Sequence, residues 1–170
     1  MVSYLVRRGS EHDATRIAEI HVKAWQATYR GMVPDDFLAS LDPVRRAVMW
    51  KEFLTSPDQA VFVALRDSRI VGFCDVMHSR DAAASPEIGE IATIYVDPDD
   101  WGRGAGSSLM AAALEHAEVH GFREITLWVL SLNLKALQFY EKLGFEPDGA
   151  EKTDTRRGFP LHEVRYRLEL

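Results

Sequence analysis

The chain has 170 residues, 46% hydrophobic content and a formal net charge of −6, enough to bury one real core and too little for two ordinary domains, so a single domain over residues 1–170 is expected. The acidic balance argues against a nucleic-acid partner, which leaves a basic footprint, and no apolar run reaches the roughly 18 residues that a membrane span needs. One cysteine, Cys74, excludes an intramolecular disulfide framework, the six histidines lack H-E-x-x-H or comparable spacing, and Met1 to Tyr4 is no signal-peptide start, so a cytoplasmic protein without a metal is expected.

Residues 4–8 read as a strand, and Ser10-x-x-Asp13 resembles a capping box opening a helix that carries Ile17, Ile20, Ala24 and Ala27 toward a core. On that helix His21, Trp25 and Tyr29 recur at i, i+4 and i+8. Such a stripe suits either the core or the wall of an amine-binding cleft, where Trp25 or Tyr29 would hold an ammonium by a cation–π contact. After a break at residues 31–34, short helices cover about 35–41 and 43–54. Residues 60–66 and 70–77 are β-rich runs joined as a hairpin through Asp67-Ser68-Arg69. In the second run Cys74 reads as a buried structural thiol, and Asp75 and His78 face either a cleft or solvent. Residues 89–96 form the next strand, 104–120 a long helix, 124–130 a strand and 133–143 a helix. Residues 145 to about 152 and 161–170 form a closing antiparallel pair, Val164, Tyr166, Leu168 and Leu170 alternating with Arg165, Arg167 and Glu169. Lys152, Arg156 and Arg157 read as a solvated loop near that hairpin, with holding an anionic acceptor as the lesser alternative. The chain has no internal repeat, low-complexity tract or linker.

The most informative stretch joins the strand ending at Val96 to the long helix through Trp101-Gly102-Arg103-Gly104-Ala105-Gly106-Ser107. Three alternating glycines remove the Cβ atoms that keep a ligand from the backbone, and they permit positive φ where successive N–H groups point inward. The following helix aims its unsatisfied N–H groups and positive dipole end at the same spot, as a phosphate site requires. The spacing is neither that of a Walker P-loop, which needs a lysine after the last glycine, nor that of a dinucleotide fold. Residues 101–106 resemble the pyrophosphate-binding motif of the GNAT superfamily of N-acetyltransferases, Gln/Arg-x-x-Gly-x-Gly/Ala, with Trp101 standing where glutamine or arginine is usual. A second segment, residues 133–145, resembles the N-x-x-A-x-x-F-Y-x-x-x-G-F signature that closes the acyl-CoA site in that superfamily. There Asn133 is a good helix N-cap and Gly144 a good C′ residue, while Ala136, Phe139, Tyr140 and Leu143 form an apolar stripe.

The resemblance implies an α+β fold of order β-α-α-β-β-β-α-β-α-β-β: a mixed, mostly antiparallel sheet of about seven strands with helices on both faces. It further implies that the fourth and fifth strands separate, so that the pantetheine arm of acetyl-CoA pairs with the backbone of Ile94, Tyr95 and Val96 like an added strand. The cofactor-binding residues it implies are these three with Trp101, Gly102, Arg103, Gly104, Ala105, Gly106, Ser107, Asn133, Ala136 and Tyr140. The implied activity is direct acetyl transfer to a primary amine of a small molecule, amino acid or peptide N-terminus. A phenol whose pKa is ordinarily near 10 stays protonated at neutral pH, which makes Tyr140 the candidate general acid. Glu90, at the start of its strand, is the candidate base, given a raised pKa or a water relay; a solvated charge is the equal alternative. His21, Trp25 and Tyr29 are the candidate acceptor-site residues. An acyl-CoA-binding sensor without turnover is the alternative function, and a homodimer stays open.

Overall fold

The computed structural model describes residues 3–170; Met1 and Val2, on which the reading of the chain's start partly rests, lie outside the described residues. Strands β1 (Leu5–Arg8), β2 (Gln59–Arg66), β3 (Arg69–His78), β4 (Ile88–Val96), β5 (Glu124–Leu130), β6 (Glu146–Asp154) and β7 (Leu161–Glu169) form one sheet in the order β1-β2-β3-β4-β5-β7-β6. Every neighbouring pair is antiparallel except β4 and β5. Helices α1 (Ala14–Thr28), α2 (Asp35–Ala39) and α3 (Pro43–Thr55) lie between β1 and β2 in the chain, α4 (Ala105–Val119) is the crossover from β4 to β5, and α5 (Leu134–Lys142) follows β5. The element order matches the expected one, with 3₁₀ turns added at Glu11–Asp13 and Pro98–Asp100.

Local chemistry sets most boundaries. The Ser10 N–H donates to Asp13 Oδ2 at 2.8 Å, but the pair encloses the 3₁₀ turn, so α1 begins at Ala14. Asp42 accepts from the Val44 N–H at 2.8 Å with Pro43 in the first helical position of α3. Helix α5 is capped by Asn133, whose Oδ1 accepts from the Ala136 N–H at 3.2 Å. It ends in a Schellman turn: the Phe145 N–H reaches the Tyr140 carbonyl at 3.1 Å around Gly144, whose φ is +90°. The β2–β3 hairpin turns through Asp67 (φ 49°) and Ser68 (φ 64°), a left-handed pair built from two non-glycine residues.

Each face of the sheet has its own core. On one, Cys74, Val76 and Ile91 pack with Leu109, Met110 and Ala113 of α4, Ile125 and Leu127 of β5, and Tyr140 of α5. On the other, Val61, Val63 and Phe73 pack with Ile17 and Ile20 of α1 and Trp50 of α3. A third cluster of Trp25, Val33, Leu38, Leu130 and Leu161 seals the end of the sheet. Ile17, Ile20 and Ala24 are buried as expected, whereas Ala27 is exposed because α1 there passes beyond the sheet into an open cleft.

Two irregularities position that cleft. Between β3 and β4 the register steps from Asp75↔Thr93 to Val76↔Ile91, which leaves Ala92 as an extra residue on β4; a bulge of this kind bends and twists its strand. On its other edge β4 pairs with β5 only at Ile88↔Glu124, Gly89↔Ile125 and Glu90↔Thr126, while β5 stays paired with β7 along its whole length. Gly89 permits the close approach at this junction, since a Cβ there would lie 2.6 Å from Ile125 Cδ1. Beyond it the strands part. Among the described residues no helix is long and apolar enough to cross a membrane.

Candidate active site

The parting of β4 and β5 opens a cleft of about 970 Å³. One wall is residues 91–96 of β4, the opposite wall Trp128 and Val129 of β5, and the ends are closed by the start of α4, by α5 and by the last turn of α1. The backbone groups that residues 91–96 turn toward β5 have no ladder partner there and would lose free energy if left unsatisfied in a closed site. Ile94, Tyr95, Val96, Trp101, Gly102, Gly104, Ala105, Gly106, Ser107, Asn133, Ala136 and Tyr140 all border the cleft. Arg103 does not border it and is exposed.

The glycine loop uses its three glycines for two purposes. Gly102 (φ +72°) and Gly104 (φ +99°) adopt the left-handed conformation, and Gly104 stands as N-cap of α4. A Cβ on either would meet nothing within 4 Å, so the space before the helix is open to a ligand. Gly106 has an ordinary φ; a Cβ there would lie 3.2 Å from Phe139 Cζ, and its absence lets α4 approach α5. The first intrahelical bond of α4 is Ser108 N–H to the Gly104 carbonyl at 3.0 Å, which leaves the N–H groups of residues 105–107 without helical acceptors. Two buried aspartates pin the loop from behind. Asp97 accepts from Lys23 and Arg16 at 2.7 Å each; burial opposes its ionisation, but these bonds and the Asp99 N–H hold its carboxyl below the usual range. Asp100 pairs with Arg66 and Arg69. Trp101 takes the place of the usual glutamine or arginine by stapling the loop to the strand, its indole N–H donating to the Val96 carbonyl at 2.8 Å.

At the far side of the cleft Tyr140 is buried, and burial, then Tyr95 and Cys74, push its phenol well above the ordinary value. Its hydroxyl has no hydrogen-bond partner among the described residues. Tyr29 reaches the cleft and shares a 3.0 Å hydroxyl–hydroxyl bond with Tyr95.

The other members of the α1 stripe stand behind this pair. His21 is 4% exposed, stacks on Tyr95 at 5.2 Å and accepts from the Trp50 indole N–H at 3.1 Å. Burial, then the charges of Arg46 and Arg157, drive its pKa well below the ordinary value, so it is a neutral core residue and not part of the cleft wall. Trp25 is buried too, and its ring is already approached by the guanidinium groups of Arg46 and Arg157 at 5.7 and 5.3 Å. It has no face to offer a substrate ammonium.

Glu90, read as a candidate base, does not border the cleft, and its carboxylate is taken up by Arg80, at 2.5 Å from Nη2, 3.3 Å from Nε and 3.0 Å from the backbone N–H. It is neither a free base nor a solvated charge. Asp75 lies on the same face of the sheet, 2% exposed, with Oδ1 unpartnered and its pKa pushed up to about 6, chiefly by burial. Opposite it in register, Thr93 borders the cleft with an unpartnered Oγ1. His78 is exposed against Phe122, and burial pushes the Cys74 thiol up, as befits a structural cysteine. Lys152 and Arg157 are exposed, as expected, and each also lies over an indole ring: Lys152 4.0 Å from the centre of Trp128, and Arg157 over Trp25. The placement of Arg46, Arg157 and Asp75 depends on contacts between distant elements, and no motif in the sequence signals it.

The chain matches the model of the Acetyltransferase (GNAT) family over residues 16–145. It is 31% identical to the uncharacterized N-acetyltransferase YuaI of Bacillus subtilis over 161 residues, 94% of this chain and 89% of that protein. It is 32% identical to the uncharacterized N-acetyltransferase MJ1207 of Methanocaldococcus jannaschii over 148 residues, 85% of this chain but only 61% of that protein's length. Among solved structures, the PaiA N-acetyltransferase of Thermoplasma acidophilum in complex with coenzyme A has a TM-score of 0.79 at 20% identity, over 99% of both chains. YncA of Salmonella typhimurium, solved with its cofactor acetyl-CoA, has a TM-score of 0.74 at 20% identity, over 98% of this chain and 94% of that one; these two likenesses show a shared fold. Taken with the parted strands and the open glycine loop, the family match establishes that this chain belongs to the GNAT acetyltransferase family and is an acyltransferase.

Proposed function

We propose that the protein, working as one domain over residues 1–170, transfers an acetyl group from acetyl-CoA directly to a primary amine. The observation that carries this reading is the meeting, in one cleft, of an unpaired strand edge, a glycine-lined helix start and the hydroxyl of Tyr140. The pantetheine arm pairs with residues 91–96 as an added strand. The pyrophosphate takes the free N–H groups of residues 105–107 and the positive end of α4. The amine nitrogen attacks the thioester carbonyl, whose oxygen gains negative charge beside backbone N–H groups of β4. Collapse then breaks the carbon–sulfur bond, and Tyr140, kept protonated by its burial, gives its proton to the departing thiolate. Glu90 has no part in this reading. Asp75, whose register partner Thr93 borders the cleft, serves as base for the ammonium proton in this reading. A sensor without turnover would not need an unpartnered phenol there.

The test is thermal stabilisation by acetyl-CoA, CoA, ATP and NAD, followed by turnover with an amine panel. Acetyl-CoA at about 100 times its Kd contributes about 2.7 kcal/mol, a rise of several degrees. Gly104→Val, whose branched side chain fills the open loop but is strained at φ +99°, is expected to melt below wild type without ligand and to lose the rise on adding acetyl-CoA. Tyr140→Phe is expected to keep the response and lose about 10²-fold or more in kcat. An equal response to ATP would remove the cofactor assignment, and undiminished turnover by Tyr140→Phe would remove the acid.

A further inference from the structure

Among the described residues Arg46 is a cation without an anion. Its guanidinium, carried by α3, is half-buried, and the side-chain partners it finds are the two ring nitrogens of His21, at 3.2 and 3.4 Å from Nη1. Burial lowers its pKa and Arg157 acts in the same direction, while Tyr95 opposes them, and no carboxylate is among the causes for the described residues. Other arginines that reach into this fold are paired: Arg16 with Asp97, Arg80 with Glu90, and Arg165 with Asp81 and Asp148. Arg157 shares Asp154 with Arg156, yet it too lies over Trp25. Two guanidinium groups from separate elements thus converge on one indole ring and one neutral imidazole. Like charges held together in a partly desolvated place repel, and the arrangement becomes favourable when an anion joins it.

The place adjoins the chemistry: neither guanidinium lines the cleft itself, and both stand behind the tyrosines that do. His21 stacks on Tyr95, and Trp25 meets the Tyr29 ring edge-on at 4.5 Å; Tyr95 and Tyr29 border the cleft. The cluster lies with α1 and α3, on the opposite face of the sheet from α4 and its phosphate loop. It is therefore separate from the groups that take the cofactor.

Resting on the acetyltransferase reading and deepening it, we infer that the acceptor is an amine bearing an anionic group, carboxylate or phosphate, and that Arg46, with Arg157 beside it, binds that group and sets acceptor specificity. A planar guanidinium pair matches the oxygens of either anion. The same pair repels a second ammonium, so diamines and polyamines are poor acceptors.

The experiment compares acetylation of amino acids with that of their carboxamides, an aminoalkyl phosphate and a diamine. Wild type, Arg46→Gln and Arg46→Lys are assayed, and acetyl-CoA stabilisation is measured for each. Anionic acceptors are expected to show a KM at least tenfold below their neutral counterparts, and the phosphate arm tells which anion is preferred. Arg46→Gln should abolish that difference without altering the response to acetyl-CoA, and Arg46→Lys should restore part of it. The inference is overturned if acids and amides are used equally, if Arg46→Gln impairs both alike, or if only the diamine is accepted. It also fails if no anionic amine is acetylated while acetyl-CoA still binds. Loss of acetyl-CoA binding by the wild type would instead count against the acetyltransferase reading.

Discussion

At Asp75, burial is set against charge. The carboxyl is 2% exposed and Oδ1 has no partner; burial raises its pKa from 3.8 to about 6, Arg80 and Arg8 pulling it down and Glu90 pushing it up. Because the folded state holds this proton more tightly than the unfolded chain, its contribution to stability is complete below the unfolded value and is lost as pH rises through about 6. The rise corresponds to about 3 kcal/mol at pH 8. Asp75→Asn is therefore expected to unfold at higher denaturant concentration than wild type at pH 8, and the advantage should vanish below pH 4. An equal gain at both pH values would show that ionisation is not its source. The contrast with Glu90 explains what the sequence withholds at this scale. Both are acidic residues on the adjacent strands β3 and β4, and only the fold reveals that Arg80 is bonded to one and not to the other. His21, Trp25 and Tyr29 share a spacing but not an environment, because α1 leaves the sheet along that stripe.

Among the elements, the β2–β3 hairpin departs furthest from its best chemistry. Asp67 and Ser68 both hold positive φ, a conformation that opposes a Cβ by about 1–2 kcal/mol per residue. Ser68→Gly should raise stability by about 1 kcal/mol, read as a higher urea midpoint with an unchanged m-value; a lower midpoint would mean that Ser68 makes a favourable contact its geometry does not reveal. The elements themselves were legible. Proline and aspartate at the start of α3, asparagine at the start of α5 and glycine after it are strong local signals, and their boundaries fall within a residue or two of expectation. The bulge at Ala92 was not, since alternation from Ile91 to Val96 is the same whether β4 is paired on both edges or on one. The splay came from the family resemblance and not from the pattern.

For the whole molecule, a sheet lacking half of one ladder makes a prediction of its own. Amide exchange in residues 91–96 should slow on acetyl-CoA binding, for those N–H groups that face β5, while exchange within the β2–β3 ladder stays the same. Protection spread evenly through the sheet would indicate general stabilisation and not strand addition. The arrangement also divides the sheet mechanically. β1 to β4 form one leaf, β5, β7 and β6 the other, and they are sewn together by three residue pairs with Gly89 at the centre. The core under α4 also packs across both leaves. Gly89 carries no side chain, and the Thr126 hydroxyl reaches its carbonyl at 3.3 Å, so a side chain wedged in at this fulcrum is expected to alter, by leverage along β4 and β5, an aperture it never touches.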